Sequence, residues 1–496
     1  MVVVGVIKQN LFVVFCLFSA LLSAQKIDSL SQFKKKVLES IEVDMLMSYY
    51  QQKGIHAAVT GGIGNEYLTD YTPTLVVRIP IKEDAVLTAD VGLSAYTSAS
   101  SSNGNPFNKS GASGGGYEND DDDHDDDEYE YGRGSGNGTS QGSPWVASTG
   151  ASRKDVLTTV NLGYQQASDD RNLYWGVSLG GSAEYDYESL NLGLNFARLW
   201  NEQNTELSLK SQVFIDRWKP VIPTELHEYE IFGNSFLINN QSYFSGVSII
   251  DENGNSVASY LPSAYVPFTS TRRNSFALSL GFTQILSPYL QASIFADYII
   301  QKGVLANPLQ RVYFGDLPNY YIGNFNSIAN YTSRSNTDVF HLADDIERLP
   351  SNRTKIPLGI RLNYYLNDAV VIRSYYRYYQ DDWGIDSNTF QVEIPIRLNL
   401  SWKLTPTYRF YDQTEANYFA PYNQNLSTDA FYTSDYDLSG FSSHQWGLGL
   451  TYRSVFNTPS IFNFDLKTVQ FRAQNYSRSD GLSAFIISTA LQFVLN

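Results

Sequence analysis

The sequence predicts an all-β chain: a transmembrane antiparallel β-barrel of about sixteen strands, with long extracellular loops and a short N-terminal periplasmic helix. Three observations carry this reading. The last segment alternates with a period of two, the same alternation recurs along the chain, and short and long connections alternate in strict parity.

The last segment shows the pattern most clearly. Phe485, Ile487, Thr489, Leu491, Phe493 and Leu495 share one face, and Ile486, Ser488, Ala490, Gln492, Val494 and Asn496 the other. Successive side chains of a strand point to opposite faces. One greasy face for lipid and one mainly small or polar face for a lumen suit the closing stave of an outer-membrane barrel.

Comparable alternation marks 42–51, 71–81, 85–97, 155–167, 172–187, 188–199, 204–217, 273–286, 288–302, 355–366, 369–381, 387–400, 401–413, 443–456, 460–474 and 481–496. Connections after even-numbered strands are short, such as Lys82-Glu83-Asp84 and Asn367-Asp368. The long ones, 52–70, 98–154, 218–272, 303–354 and 414–442, all follow odd-numbered strands. A missed or invented strand would break that parity, and bacterial barrels have short periplasmic turns and longer outer loops.

Upstream of the barrel, Lys8, an apolar run from Leu11 to Leu22 and the small pair Ser23-Ala24 read as a secretory signal cleaved near Ala24. Phe33, Val37, Leu38 and Ile41 lie at helical spacing around Lys34 to Lys36, which predicts a periplasmic helix. The expected division is therefore 1–24 signal, 25–40 helical segment and 41–496 barrel, in the outer membrane of a Gram-negative cell. The single cysteine, Cys16, lies in the signal, so the mature chain has no disulfide, thiolate metal site or c-type haem attachment. No later stretch is apolar enough for a membrane helix, and mean hydropathy is -0.27. Yet 43% of residues are hydrophobic and 14% aromatic, as expected where only every second residue meets lipid.

Net charge is -16, and ten acids between Glu118 and Glu130 account for all but -6 of it. This stretch belongs to a Gly/Ser/Asn/Asp-rich loop, 98–154, for which disorder is expected. Its acids Asp120, Asp121, Asp122, Asp123, Asp125, Asp126 and Asp127 flank His124 and are a candidate for weak divalent-cation binding. They lack the alternate spacing and turn glycine of an EF-hand, and solvated acid is the plainer reading. Residues 338–350 read as a short helical piece stopped by Pro350, placed to cover or enter the barrel mouth.

Period-two reading also assigns the lumen face. In the C-terminal half it turns Arg361, Arg373, Arg377, Arg397, Lys403, Arg409, Arg453 and Lys467 inward, with Glu393 and Asp465. In the N-terminal half it turns Glu42, Asp44, Asp90, Glu184, Asp186, Glu206, Asp216 and Asp297 inward, opposed by Arg78 and Lys210. An acidic wall facing a basic wall is the expectation. Such walls set up a transverse field in a water-filled lumen, or pair with each other and with loops in a filled one.

Two Tyr-Arg-aromatic-Tyr units, 376–379 and 408–411, fall near outer strand ends. Tyr376, Tyr378, Tyr379, Asp381, Asp382, Trp383 and Asp412 form a mouth motif there. It reads either as an aromatic girdle with paired charges or as a constriction that grips a loop, peptide or anionic solute. The five histidines, His56, His124, His227, His341 and His444, show no metal-site spacing. No GxSxG elbow, phosphate loop or dinucleotide fingerprint occurs. No cofactor and no nucleic-acid partner are expected.

Six segments together resemble one family of Bacteroidota-type outer-membrane proteins, domain of unknown function 3570. They are 49–64 (YYQQKGIHAAVTGGIG), 95–100 (AYTSAS), 150–155 (GASRKD), 349–354 (LPSNRT), 376–385 (YRYYQDDWGI) and 406–414 (PTYRFYDQT). Where the family tends to carry Ser-His-Thr after the Trp-Gly pair, this chain reads Ser387-Asn388-Thr389. The resemblance implies an outer-membrane barrel without an established activity. It also implies thioredoxin-like and flavin-transferase neighbours, hence extracytoplasmic redox work.

Three function classes follow. The first is a pore or conduit scaffold in outer-membrane lipid, with a periplasmic or surface lipoprotein or redox chain as the candidate partner. The second is a sheath for a redox partner. The third is a wall-mounted hydrolase, for which His341 with Asp344 and Asp345, or His444, are starting points.

Overall fold

The computed structural model describes residues 36–98 and 154–495, apart from 237, 240, 241, 243–245, 259, 263, 264, 269, 332–338, 455–459 and 462. The predicted signal, most of the predicted N-terminal helix and the acidic run 120–127 lie outside the described residues. Residues 37–40 are bends that lead into the first strand.

Sixteen antiparallel staves close into one barrel. They are β1 Glu42–Lys53, β2 Leu68–Pro80, β3 Ala85–Ser98, β4 Lys154–Ala167, β5 Leu173–Ala183, β6 Tyr187–Trp200, β7 Thr205–Trp218 and β8 Arg272–Ser287. There follow β9 Leu290–Gly303, β10 Asn352–Tyr365, β11 Val371–Asp381, β12 Asp386–Glu393, β13 Trp402–Gln413, β14 Phe441–Arg453, β15 Phe464–Arg478 and β16 Ser483–Leu495. Each predicted strand meets its observed counterpart. β12 is the shortest because Pro395 has no N–H to give, and pairing resumes only at Ile396–Arg397.

Closure is made by β1 against β16, from Glu42 opposite Val494 to Lys53 opposite Ser483. A closed ring satisfies every strand edge, which an open sheet in lipid cannot do. The outer face carries exposed apolar side chains at alternate positions, such as Leu190, Leu192, Leu194 and Phe196 of β6. The inner face carries small and polar ones. Asn161, Gly180 and Asn191 face one another across β4, β5 and β6. At the short-turn end, left-handed Asn201, Glu202 and Gln203 (φ 54°, 54° and 66°) turn β6 into β7.

At the other end the long connections build a cap. Those at 54–67, 219–271, 304–351 and 414–440 arise after β1, β7, β9 and β13, which lie well apart on the ring. They nonetheless bond to one another, so they converge over the opening. Arg311 Nη1 donates to the Val59 carbonyl at 3.1 Å. The backbones of Arg348 and Tyr432 exchange hydrogen bonds at 3.1 and 2.8 Å. One short helix, α1 Thr224–Phe232, joins them. Leu226, Phe236, Ile249, Tyr260, Tyr313, Phe340, Leu342 and Ile346 form the buried centre of the cap. Gly61 (φ 77°) and Gly62 (φ 88°) allow 54–67 to approach it, since a Cβ there would lie 2.6 Å from the Tyr313 ring or from the Ser434 carbonyl.

Of the predicted helical piece 338–350, the described residues 339–350 depart from the expectation. They run extended, with Val339–His341 and Asp345–Ile346 paired as strands. Every residue from Val339 to Glu347 is buried. A helix satisfies its own backbone, but this segment finds partners on both sides, at Tyr320–Gly323 and Arg311–Val312. Tertiary pairing overrides the local pattern.

The lipid face gives a direct test. Leu192→Arg on β6 should lower stability by about 2–4 kcal/mol, as a cation near the bilayer midplane does. Urea titration of the barrel refolded in lipid vesicles would read it, and Asn191→Ser on the lumen side should change it far less.

Candidate functional site

Strand register fixes what faces the lumen, because directly paired residues share a face. Arg361 of β10 lies opposite Tyr375 of β11, Tyr375 opposite Gln391 of β12, and Gln391 opposite Arg409 of β13. Arg377 pairs with Gly359 and Thr389 one row toward the cap. Arg373 pairs with Asn363 and Glu393 one row toward the short turns. These rows surround a cavity of about 580 Å³. Arg397 lies opposite Lys403 below it, and Arg453 opposite Thr468.

The charges here are unevenly matched. Glu393 faces Arg373 at 3.7 Å and Arg472 at 3.9 Å. Arg361, Arg377 and Arg409 have no carboxylate partner among the described residues. Aromatic rings hold two of them. The Arg361 guanidinium lies 5.6 Å from the Tyr375 ring centre, and that of Arg377 lies 5.9 Å from the Tyr379 ring. Tyr375 in turn stacks on Phe295 at 5.8 Å. Phe295 covers Gly359, where a Cβ would lie 2.0 Å from its ring.

In the N-terminal half three of the predicted acids, Glu42, Asp44 and Asp216, are ion-paired. Arg78 reaches Asp44 at 2.6 Å and Glu42 at 3.6 Å, and Lys467 reaches Glu42 at 3.1 Å across the closing seam. Asp216 accepts from Arg273 at 2.7 Å and Ser189 at 2.7 Å. Register turns Asp90, Glu206 and Asp297 inward, opposite Val76, Thr283 and Ser279. Glu184 and Asp186 sit in the turn after β5, and Glu184 accepts from Tyr96 at 2.8 Å. Arg273, absent from the predicted walls, is a lumen residue by the same parity, whereas Arg472 reaches the lumen only because a bulge between Leu466 and Thr468 shifts the parity set by Asp465.

The mouth motif divides between the two faces. Asp381 points inward, and its carboxylate collects Arg353 at 2.5 Å, Tyr379 at 2.6 Å and the amides of Trp383 and Ile385 at 2.9 and 3.1 Å. Asp382 accepts from the Thr354 amide at 3.0 Å. Trp383 is buried, with Arg353 4.2 Å from its ring centre, and its carbonyl takes the Asn417 amide of the cap at 2.9 Å. Tyr376, Tyr378 and Asp412 face outward, and Tyr376 and Asp412 meet through Asn388. Asp412 is therefore not beside Arg409, because an even position on β13 turns away from the lumen. The Asp381 cluster ties the rim to the cap.

Within the cap, Arg311 and Glu225 are fully buried and joined at 2.7 and 3.1 Å. His341 lies between Tyr313 and Tyr321, with ring centres at 4.1 and 4.5 Å, and its Nδ1 meets the Tyr422 hydroxyl at 2.6 Å. Burial drives His341 down to about 3. Burial likewise pushes Asp344 up to about 7 and Glu347 up to about 8. Glu347 accepts from the Asn307 amide at 2.6 Å and from Thr433 at 2.5 Å. His444 of β14 is on the outer face, against Tyr408 at 2.9 Å. Neither histidine lines the arginine cavity.

A closed antiparallel barrel with an apolar outer belt defines a membrane-spanning barrel of the bacterial outer-membrane class. The family described as "Protein of unknown function (DUF3570)" matches residues 16–484, and the chain belongs to that family. No curated protein matches it. Solved structures with a similar fold include a bacterial polysaccharide outer membrane secretin, at 8% identity over 92% of this chain and 99% of that one, TM-score 0.40. Pseudomonas aeruginosa OpdK with vanillate aligns at 7% identity over 92% and 98%, TM-score 0.34. A deltaS2S3 mutant of the TodX monoaromatic hydrocarbon channel aligns at 10% over 93% and 91%, TM-score 0.34. These likenesses are distant.

Two outcomes are expected of the cap. Arg311→Met leaves Glu225 buried and unpaired and should cost about 3–5 kcal/mol of local stability, whereas the double change with Glu225→Gln should recover part of it. Limited proteolysis of 219–271 and 304–351 would show both. Glu347, held above its ordinary 4.5, stabilises the cap fully at low pH and loses that contribution as pH rises through about 8. Proteolysis should therefore speed up toward about pH 9. Glu347→Gln should flatten that response.

Proposed function

We propose that this chain is an outer-membrane pore that favours anions and is capped at its long-loop mouth. The observation that carries the reading is the arginine cavity on β10–β13, where Arg361, Arg377 and Arg409 face the lumen without carboxylate partners among the described residues. A pore wall with surplus fixed positive charge raises the local concentration of anions and lowers that of cations. Glu42 and Asp44 of β1 and Asp216 of β7 are already matched by Arg78, Lys467 and Arg273 and leave that surplus uncancelled. The cap makes the resting pore narrow at one end, and the Asp381 cluster supports it.

The supporting experiment is a planar bilayer recording across a salt gradient. Ohmic current with anion selectivity is expected. Arg373→Glu or Arg377→Glu should shift the reversal potential toward cations, and Asp382→Asn at the rim should not. A folded barrel that passes no current, even after proteolytic removal of the cap, would sink the pore reading. It would favour instead a scaffold for a periplasmic or surface partner, a redox-carrying chain among them.

A further inference from the structure

We infer that the arginine cavity is a binding site for a small solute bearing two or more anionic groups, of the polycarboxylate or phosphate-ester kind. The inference rests on the proposed anion-conducting lumen and assigns it a solute class. The grounds are the number, spacing and state of the donors.

Lumen cations extend beyond the cavity to Arg397, Lys403 and Arg453, but three arginines without carboxylate partners among the described residues converge on it. The cavity is half-open, and its volume of about 580 Å³ is within the range of sites for small organic molecules. Arg361 and Arg409 stand in one row, separated by Tyr375 and Gln391. Neighbouring strands are about 4.8 Å apart, so their backbones are about 14 Å apart. Arg377 stands two residues along from Tyr375, toward the cap. No single monovalent ion spans three guanidinium groups so placed. A solute with separated anionic groups does.

The donors are also held ready. Tyr375 and Tyr379 lie under Arg361 and Arg377, which limits rotation of the guanidinium groups and leaves their N–H edges free to bond. The Phe295 ring fixes Tyr375 from behind. Arg377 Nε is enclosed and has no hydrogen-bond partner among the described residues. A buried guanidinium nitrogen without an acceptor is costly, and an anionic oxygen would supply one. Among the described residues the only carboxylate lining the cavity, Glu393, lies between Arg373 and Arg472 and is not paired with the rows above it. Asn363 and Gln391 add neutral donors and acceptors suited to hydroxyl groups on the same solute.

The test is isothermal titration calorimetry on the full barrel in detergent micelles. Citrate and fructose 1,6-bisphosphate serve as probes, and acetate as the monovalent control. Saturable binding of at least one multivalent probe is expected, with acetate far weaker. Which probe binds distinguishes carboxylate from phosphate recognition. Arg377→Gln and Arg409→Gln should each weaken it about tenfold or more, the effect of losing a charge-assisted hydrogen bond. Arg377→Lys, which keeps the charge but loses the two-pronged geometry, should fall between. Arg453→Gln, away from the cavity, should leave it unchanged, and circular dichroism confirms that each variant is folded. Absence of saturable binding by both probes, or a triple variant (Arg361, Arg377 and Arg409 to Gln) that binds as well as the parent, overturns the inference. Binding without bilayer current would overturn the pore reading and leave the site standing. Selective current without binding would do the reverse.

Discussion

The structure depends on one constraint: in lipid, every backbone N–H and C=O must find a partner inside the protein. Strands meet it only by closing on themselves, and here closure is the β1–β16 seam. Once the ring is closed, strand parity sends alternate residues to lipid and to lumen. The outer side must then be apolar, so nearly all polar chemistry of the staves is confined inward. The arginine cavity, the Asp44–Arg78–Glu42 cluster and the Asp216–Arg273 pair are consequences of that confinement.

The cap answers a different problem. Long connections over a barrel mouth carry many polar backbone groups that the barrel sheet does not pair. This chain gives them a core of their own, with Leu226, Phe340 and Ile346 at its centre. It also buries an ion pair there. Arg311 and Glu225 are costly to desolvate, and their value lies in specificity: Arg311 joins the connections after β1, β7 and β9 at one point. His341, enclosed by tyrosines, is kept neutral by the same dry surroundings that keep Glu347 protonated. The cap is thus a packed unit with titratable groups buried inside it.

Cap and lumen meet at the β11–β12 rim. Asp381 gathers Arg353, Tyr379 and two turn amides, while Trp383 connects the rim to the connection after β13. Read in sequence, the motif offered two meanings, a girdle or a gripping constriction. Tyr376, Tyr378 and Asp412 belong to the outer surface, whereas Tyr379, Asp381 and Trp383 hold a loop of the protein itself.

What the sequence determined by itself was whatever depends on period two. Strand number, connection parity and the inward set from Arg361 to Arg409 were all legible, because a strand's faces follow from position along the chain alone. So was Arg273, whereas the bulge between Leu466 and Thr468 hides Arg472 from a plain period-two reading. What only the tertiary structure decided was everything that depends on contacts between distant segments. The extended course of Val339–Glu347, the Arg311–Glu225 pair and the pairing of Glu393 with two arginines bring together residues from separate connections or strands. No local pattern encodes such meetings. The sequence therefore tells which residues face the lumen, while only folding tells which of those charges are already spent on one another and which are left for a solute.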